Sequence, residues 1–573
     1  MFPSTGDARP PKKRARDERR ASKQTDRDAG TWSRCMQFQE RKGRYCNLPR
    51  APSSQYCGHH DPAAIVGGER IPCPVDGSHS IFARDLKSHL ERCESAAQAA
   101  VLSAQFFYAR GVNAGGAPSD EADGAMRVQS ARGEGQGGLS RLLDSSDAGG
   151  VDVASLCARL LEWADATPAA FSPPGCAMAA RAALPILREA LAATLRGAPD
   201  AASEDAAAIA ALGASKQSAF RHEYQQVSIL SHLFDAMGVL ELSPGCERVT
   251  ALGATLLDER SPAALASLGA EPNALSANTT FLELGAGRGG LSLTLARIVP
   301  RPALVLVDRA SARSGADTTL RRDAGDTAPL FTRVRVDLAD VSLRGVPQLF
   351  GAAHTGVSSA SARCLPVQTP QEGAASVPEN GRRVVAMGKH LCGAATDLAL
   401  RALVSAFTSL NPGVIAGDGS SSPEPPPRPA GSNVVLTAIS IATCCHHSCE
   451  WTAYVGKSWW REVFKATSAE FEFARVLSSW FTLEKGYVEG EGEDEHKSVI
   501  ADGSAEGTCA PSTARQFAAK LDATTRARIG RAAKRAIDAG RVAFLGRAHL
   551  RARLATLSNS LASLENCLIL ASI

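Results

Sequence analysis

The sequence predicts an α/β fold for the long C-terminal part of the chain, with two metal-organised modules ahead of it. Three observations carry this. FLELGAGRGGLSL (281–293) reads as a short buried strand, a glycine turn and the start of a helix, the ligand-cradling unit of doubly wound α/β domains. Further strand-like runs, ALVLVD (303–308), TRVRVDL (332–338), RRVVAM (382–387) and VVLTAISIATC (434–444), recur with helical stretches between them. Two clusters of Cys and His with metal-ligand spacing precede that core, at 35–60 and 73–93.

Length and composition bound the rest. A chain of 573 residues has room for several domains. Its 44% apolar content is globular, while 50 Gly and 31 Pro point to long linkers. A net charge of +4 confines any nucleic-acid affinity to local basic patches. No apolar run reaches membrane-spanning length and MFPSTGDARP has no signal-peptide pattern. The expected location is nucleus and/or cytoplasm, without a membrane partner and with no obligate protein partner called for. In such a compartment the 15 Cys are metal ligands, buried thiols or site residues rather than disulfides.

In chain order, 1–30 is polar, charged and expected to be a disordered basic tail. Its PPKKRARDERR (10–20) fits either a nuclear import signal or a solvated tail. Within 31–62, Cys35, Cys46, Cys57 and His60 form a CCCH set. The segment between them is too poor in apolar residues to fold alone, so zinc is the expected organiser. His60 is preferred over His59 because its two-residue gap from Cys57 suits a tight knuckle. Within 68–96, Cys73, His79, His89 and Cys93 form a CHHC set, with His89 and Cys93 one helical turn apart. Residues 96–109 read as helix, 110–150 as a linker, and 151–213 as Ala-rich helical segments. Phe220, Tyr224, Val227, Leu230 and Phe234 mark a helix over 216–240, with His222, Gln225 and Gln226 on its polar face.

The glycine turn fits both a dinucleotide spacing (Gly285, Gly287, Gly290) and an S-adenosylmethionine (AdoMet) spacing (Gly285, Gly287, Gly289). Glu283 favours AdoMet, since a carboxylate suits an amine-bearing cation and repels a pyrophosphate. Asp308 ends the second strand where an acid meets ribose hydroxyls, and Asp337 ends the third beside the adenine position. Lys389, His390, Cys392 and Asp397 gather at the carboxyl end of the fourth strand. Cys444, Cys445, His446, His447 and Cys449 follow the fifth. For CCHHSC a metal site, a substrate pocket and buried packing all stay open; adjacent ligands diverge, which weighs against one tetrahedral ion. Insertions are expected near 351–380, 412–432 and 484–515. Helix 516–540 carries Arg528, Arg531 and Arg535 on one face, with Arg541 following, a surface suited to phosphates. SLENCLILAS (563–572) reads as the last strand.

Taken together, these residues resemble a known family. RYC, YCGHH, HEYQQVSIL, LELGAGRGGLS, VDR, GKHLCGAATDLALRAL, CCHHSCEW, SSW, AKRAIDAGR and SLEN stand in the order found in the eukaryotic tRNA 2′-O-methyltransferases that act at position 4 of the acceptor stem. The resemblance implies a Rossmann-like AdoMet-dependent methyltransferase domain over 151–573 and zinc in both fingers. It also implies methyl transfer to the ribose 2′-hydroxyl of a cytidine or adenosine in tRNA. Departures are the long insertions and Arg288, where the family usually has lysine. Such a reaction needs a base; Lys389, His390 and His446 are the candidates and Asp397 the candidate orienting group.

Overall fold

The computed structural model describes residues 33–39, 44–51, 54–57, 60, 70–77, 79–115, 151–167, 222, 225–226, 228–230, 232–234, 236–237, 278–299, 301–309, 315–322, 330–350, 381–410, 433–483, 513–556 and 567–573. The basic tail at 1–30, the Ala-rich stretch after 167 and the insertions at 351–380 and 412–432 lie outside these residues, as does the third insertion up to 512. The chain divides into two compact units, Met1–Ala104 and Gln105–Ile573.

Among its described residues the first unit has little regular structure before residue 86. β1 (Phe38–Gln39) and β2 (Arg44–Tyr45) form one antiparallel ribbon, β3 (Arg70–Pro72) and β4 (Ser80–Phe82) another. Two helices follow, α1 (Leu86–Arg92) and α2 (Glu94–Ser103). α1 ends one residue short of Cys93, which turns extended at φ −73° and ψ 118°. In the ribbon at 33–60 the core is three cysteines, Cys35, Cys46 and Cys57, with Tyr56 against them.

The second unit is built on a seven-stranded sheet. Its strands are β5 (Thr279–Leu284), β6 (Ala303–Asp308), β7 (Leu330–Arg335), β8 (Arg382–Cys392), β9 (Val434–Cys444), β10 (Arg551–Thr556) and β11 (Cys567–Ser572). Their spatial order is β10-β11-β9-β8-β5-β6-β7. β7, β6, β5, β8 and β9 are mutually parallel, and β11 runs antiparallel between β9 and β10. β5 is buried along its whole length, as parallel strands covered on both faces are. The chain's order reverses beside β5, where β6 lies on one side and β8 on the other, the position at which open α/β sheets form a crevice.

Helices follow the strands: α3 (Val153–Ala166) precedes the sheet, then α4 (Gly290–Ile298), α5 (Gly315–Arg322), α6 (Ala394–Phe407), α7 (Ser468–Leu477) and α8 (Ala523–Arg547). α3 is capped by Asp152, whose carboxylate accepts from Ser155 N at 3.1 Å. It buries Val153, Leu156, Cys157 and Leu160, one face of a 3.6-residue period, in an aromatic cluster with Trp460, Phe471 and Tyr454. The described residues between 222 and 236 are helical, and Ile229, Leu230, Leu233 and Phe234 pack under the sheet.

Four sequence expectations change. The third strand ends at Arg335, not 338, because the Asp337 carboxylate accepts from Ala339 N at 3.0 Å and closes a turn. The helix expected over 516–540 is two helices, Thr513–Lys520 and α8, separated where Asp522 caps Thr525 N at 2.8 Å. β10, RARLAT, was not expected. The first residues of the expected linker, 110–115, are packed: Asn113 is buried and its side-chain amide donates to Leu338 O and Val341 O at 2.8 and 2.7 Å.

Candidate active site

At the end of β5 the backbone takes positive φ at Gly285, Gly287 and Gly289, 63°, 50° and 74°. L side chains rarely hold that conformation, so three glycines here are a steric requirement. A Cβ on Gly289 would also stand 3.2–3.4 Å from Arg333, Leu306 and Asp317. The turn is held from both sides. Gly287 N donates to Asp308 Oδ2 at 2.8 Å, and Arg333 Nη1 donates to Gly287 O at 3.1 Å. Arg333 is itself fixed by two parallel hydrogen bonds to Asp317, 2.8 and 2.7 Å. Sequence reading missed this pair. The signal was a basic residue in the middle of a strand otherwise bound for a buried parallel sheet.

Glu283 sits behind the turn, 3% exposed. Its carboxylate accepts from Ser292 N at 3.1 Å and from the Ser292 hydroxyl, at the start of α4. Burial pushes its pKa up to about 7, against the pull of the Ser292 hydrogen bonds and of Arg333 and Lys389. Asp308 and Asp337 stand at the carboxyl ends of the next two strands, so the three expected cofactor acids share one edge of the sheet.

Lys389 is placed by a β-bulge. β8 and β9 pair at Gly388↔Ile441 and again at Leu391↔Thr443, so β8 carries one extra residue between these points. Bulges re-aim side chains, and they are common beside active sites. Gly388 lies tight against the end of β5; a Cβ there would stand 3.2 Å from Leu284 O. Lys389 Nζ donates to His222 O at 3.0 Å and lies 3.1 Å from His222 Nδ1. Burial lowers the Lys389 pKa to about 8, partly offset by Glu283. The His222 pKa is lowered too, first by burial and then by the Lys389 charge. Gln226, from the same segment, accepts from Thr294 Oγ1 at 2.7 Å. His222 and Gln226 therefore cover Lys389 and the helix behind the glycine turn. His390 lies in the bulge, and its side chain falls outside the described residues.

His446 is elsewhere. It is 1% exposed, with Nε2 2.9 Å from Asp538 Oδ2. Asp538 also receives Thr443 Oγ1 at 2.9 Å and Arg541 Nη1 at 2.9 Å. Arg541 Nη2 and Nε bind Asp397 at 2.5 and 3.1 Å. His446 and Arg541 hold the Asp538 carboxyl well below the usual range despite its burial. Two expectations are corrected here. Asp397 orients Arg541, not a base; and Arg541 is buried in this ionic lattice, so it is no phosphate contact. His446 is buried, with Nε2 on Asp538 and Nδ1 without a hydrogen-bond partner among the described residues.

The two N-terminal clusters fit zinc. The four ligand atoms of Cys35, Cys46, Cys57 and His60 lie within 4.8 Å of one another, as do those of Cys73, His79, His89 and Cys93. His60 Nδ1 is 3.4 Å from both Cys35 Sγ and Cys57 Sγ. His79 Nε2 is 3.2 Å from His89 Nε2 and 3.7 Å from Cys93 Sγ. Tetrahedral zinc with bonds of about 2.0–2.3 Å demands ligand separations of roughly 3.3–3.8 Å, so these edges match.

Comparison with known proteins agrees with this geometry. The family model described as "Methyltransferase TRM13" matches residues 261–572, more than half of the chain. The chain belongs to this family. The models "CCCH zinc finger in TRM13 protein" and "U11-48K-like CHHC zinc finger" match 33–61 and 70–94. A Mus musculus relative named "tRNA:m(4)X modification enzyme TRM13 homolog" is 24% identical, covering 94% of each chain. The Saccharomyces cerevisiae TRM13 enzyme of the same description is 24% identical over 94% of this chain and 95% of its own. An Oryza sativa relative is 42% identical over 88 residues, 14% of this chain and 35% of its own. No solved structure matches. As a TRM13 family member the protein is an AdoMet-dependent methyltransferase with two zinc-binding fingers. Among the described residues no helix is long and apolar enough to cross a membrane.

Proposed function

We propose that the protein transfers the methyl group of AdoMet to the ribose 2′-hydroxyl of the cytidine or adenosine at position 4 of tRNA. The observation that carries this reading is the junction of β5 and β8. There a three-glycine turn of positive φ adjoins Lys389, whose pKa is lowered to about 8. The relatives' names point to tRNA modification.

Glu283, Gly285, Gly287, Gly289, Asp308 and Asp337 would hold AdoMet. The glycine backbone lets a ligand approach closely, and Asp308 and Asp337 offer carboxylates to hydroxyl and amine groups. When bound, AdoMet supplies an electrophilic methyl group on a sulfonium. The chain's own task is to align the 2′-oxygen and remove its proton. Lys389 fits the second task. A lysine at its ordinary pKa is almost wholly protonated at neutral pH, whereas one near 8 offers a usable fraction of free amine. His222 O and Nδ1 accept from Nζ and hold the amine in place. His446 and Asp538 instead position the end of β9.

The domains we assign are a CCCH finger over 31–62, a CHHC finger over 68–96, a linker over 110–150 and a Rossmann-like methyltransferase domain over 151–573. The sheet order and the glycine turn support the Rossmann-like reading. The acceptor stem is A-form, so shape, phosphates and 2′-hydroxyls carry its recognition. The fingers and the exposed arginines of α8 are the contacts we assign. The location we assign is nucleus and/or cytoplasm, the import-like basic stretch favouring the nucleus. The test is incubation with labelled AdoMet and bulk tRNA, then nucleoside analysis. Label in 2′-O-methylated cytidine or adenosine at position 4 is expected; label on a base, or none in tRNA, refutes the proposal.

A further inference from the structure

A third set of thiols stands outside both fingers. Cys392 ends β8 and Cys444 ends β9; they are register partners, with Sγ atoms 3.3 Å apart. Cys445 completes the group, its sulfur within 4.8 Å of the other two. Along an extended strand, adjacent side chains point to opposite faces, so Cys444 and Cys445 would normally diverge. Here Cys445 adopts φ 51° and ψ 45°, the left-handed region. That conformation is unfavourable for a non-glycine residue and persists only where the surroundings impose it. Its consequence is that both thiols of the pair join Cys392. Cys449, in the same CCHHSC stretch, takes no part: it is buried, with Arg541 Nη2 3.2 Å from its sulfur.

We propose that Cys392, Cys444 and Cys445 bind a third zinc ion, as three thiolates at the carboxyl ends of β8 and β9. Three soft sulfur ligands suit a d10 cation of this kind. Each thiol gives its proton to solvent as its sulfur bonds the ion. Cys392 is exposed and the other two are half-buried, so the fourth ligand comes from the solvent side. The ion would tie the strand carrying Lys389 to the strand that leads into His446. This goes beyond the proposed methylation and does not depend on it.

The test uses the full chain, purified with zinc and washed with a weak chelator. Zinc per chain is measured by elemental analysis in the wild type and in Cys392→Ser and Cys445→Ser. Circular dichroism confirms that each variant is folded. Three zinc ions in the wild type and two in each variant are expected. Two in the wild type, or three in both variants, overturns the proposal. Cadmium exchange adds a second readout. The sulfur-to-cadmium absorbance should fall by about three-eighths when all three cysteines become serine, since the fingers supply the other five thiolates. An unchanged band, or a Cys392–Cys444 disulfide in protein prepared without reductant, also overturns it.

Discussion

Two groups of charged side chains sit at neighbouring strand ends, and they are built to opposite specifications. Around Lys389, the partners are few and the ionisations are pushed toward neutrality: the amine down to about 8, Glu283 up to about 7. Around Asp538, each buried carboxylate has a buried partner. Asp538 lies between His446 and Arg541, Arg541 lies between Asp538 and Asp397, and all four side chains are excluded from solvent. There the carboxylate of Asp538 is driven down and the Arg541 pKa up, both away from neutral pH. Burial alone therefore does not make a reactive group. Burial with incomplete compensation does so, whereas burial with full compensation fixes a charge in place.

The largest effect that would break this contrast belongs to the matched group. Arg541→Met leaves Asp397 and Asp538 buried without their shared cation, and removing one partner of a buried ion pair costs roughly 3–5 kcal/mol. Thermal unfolding should show a drop of many degrees. A variant as stable as the wild type would mean the lattice is solvated. Lys389→Met should behave in reverse. Its melting temperature should hold or rise at pH 7 and AdoMet binding should survive, while turnover falls roughly 10²–10⁴-fold. In the wild type, turnover should climb with pH through about 8 and level off above it, as Nζ loses its proton. A flat profile across that range removes Lys389 as the base.

Glu283 sharpens the contrast through stability. Its folded pKa, about 7, stands above its ordinary value of 4.5. The fold favours the protonated form, and that stability is present at low pH and lost as pH rises through 7. Glu283→Gln keeps an acceptor for Ser292 and removes the buried charge. The variant should therefore gain about 1–3 kcal/mol over the wild type at pH 8, with the gain fading toward pH 4.5. Denaturant titrations at several pH values measure it, and an equal difference at all of them would show that the carboxyl does not titrate in this range.

What the sequence disclosed follows from how local each feature is. The glycine turn, six of the seven strands and both finger ligand sets are written in contiguous spacing, and they are where the residues placed them. β10 was missed because RARLAT is rich in arginine; only its packing against β11 makes it a strand. Asp538 as the partner of His446, Asp317 as the partner of Arg333, and Cys392 as a companion of Cys444 were equally out of reach. Each pairing spans a long separation in sequence or crosses elements, and no periodicity encodes it. His446 and Lys389 both qualify as candidate bases on sequence because each belongs to a polar cluster at the end of one of two neighbouring strands. Which way each side chain points depends on a bulge in one strand and a left-handed residue after the other.

The same division sorts the arginines of α8, and it gives the smallest predicted effect. Arg541 is buried, and Arg535 is half-buried with Nη1 2.8 Å from Cys567 Sγ. Arg528 and Arg531 are exposed. Among the described residues Arg528 meets the exposed Asp165, at 3.3 Å, while Arg531 lies over the Phe481 ring at 4.8 Å. An exposed pair of that kind holds its charge loosely, and a ring-stacked guanidinium keeps its edge free for phosphate. Arg528→Ala with Arg531→Ala should leave melting within a few degrees. It should reduce the slope of log K for tRNA against log salt by about 1–2, one released counterion per lost phosphate contact. An unchanged slope would take α8 out of the proposed tRNA interface and confine that proposal to the fingers.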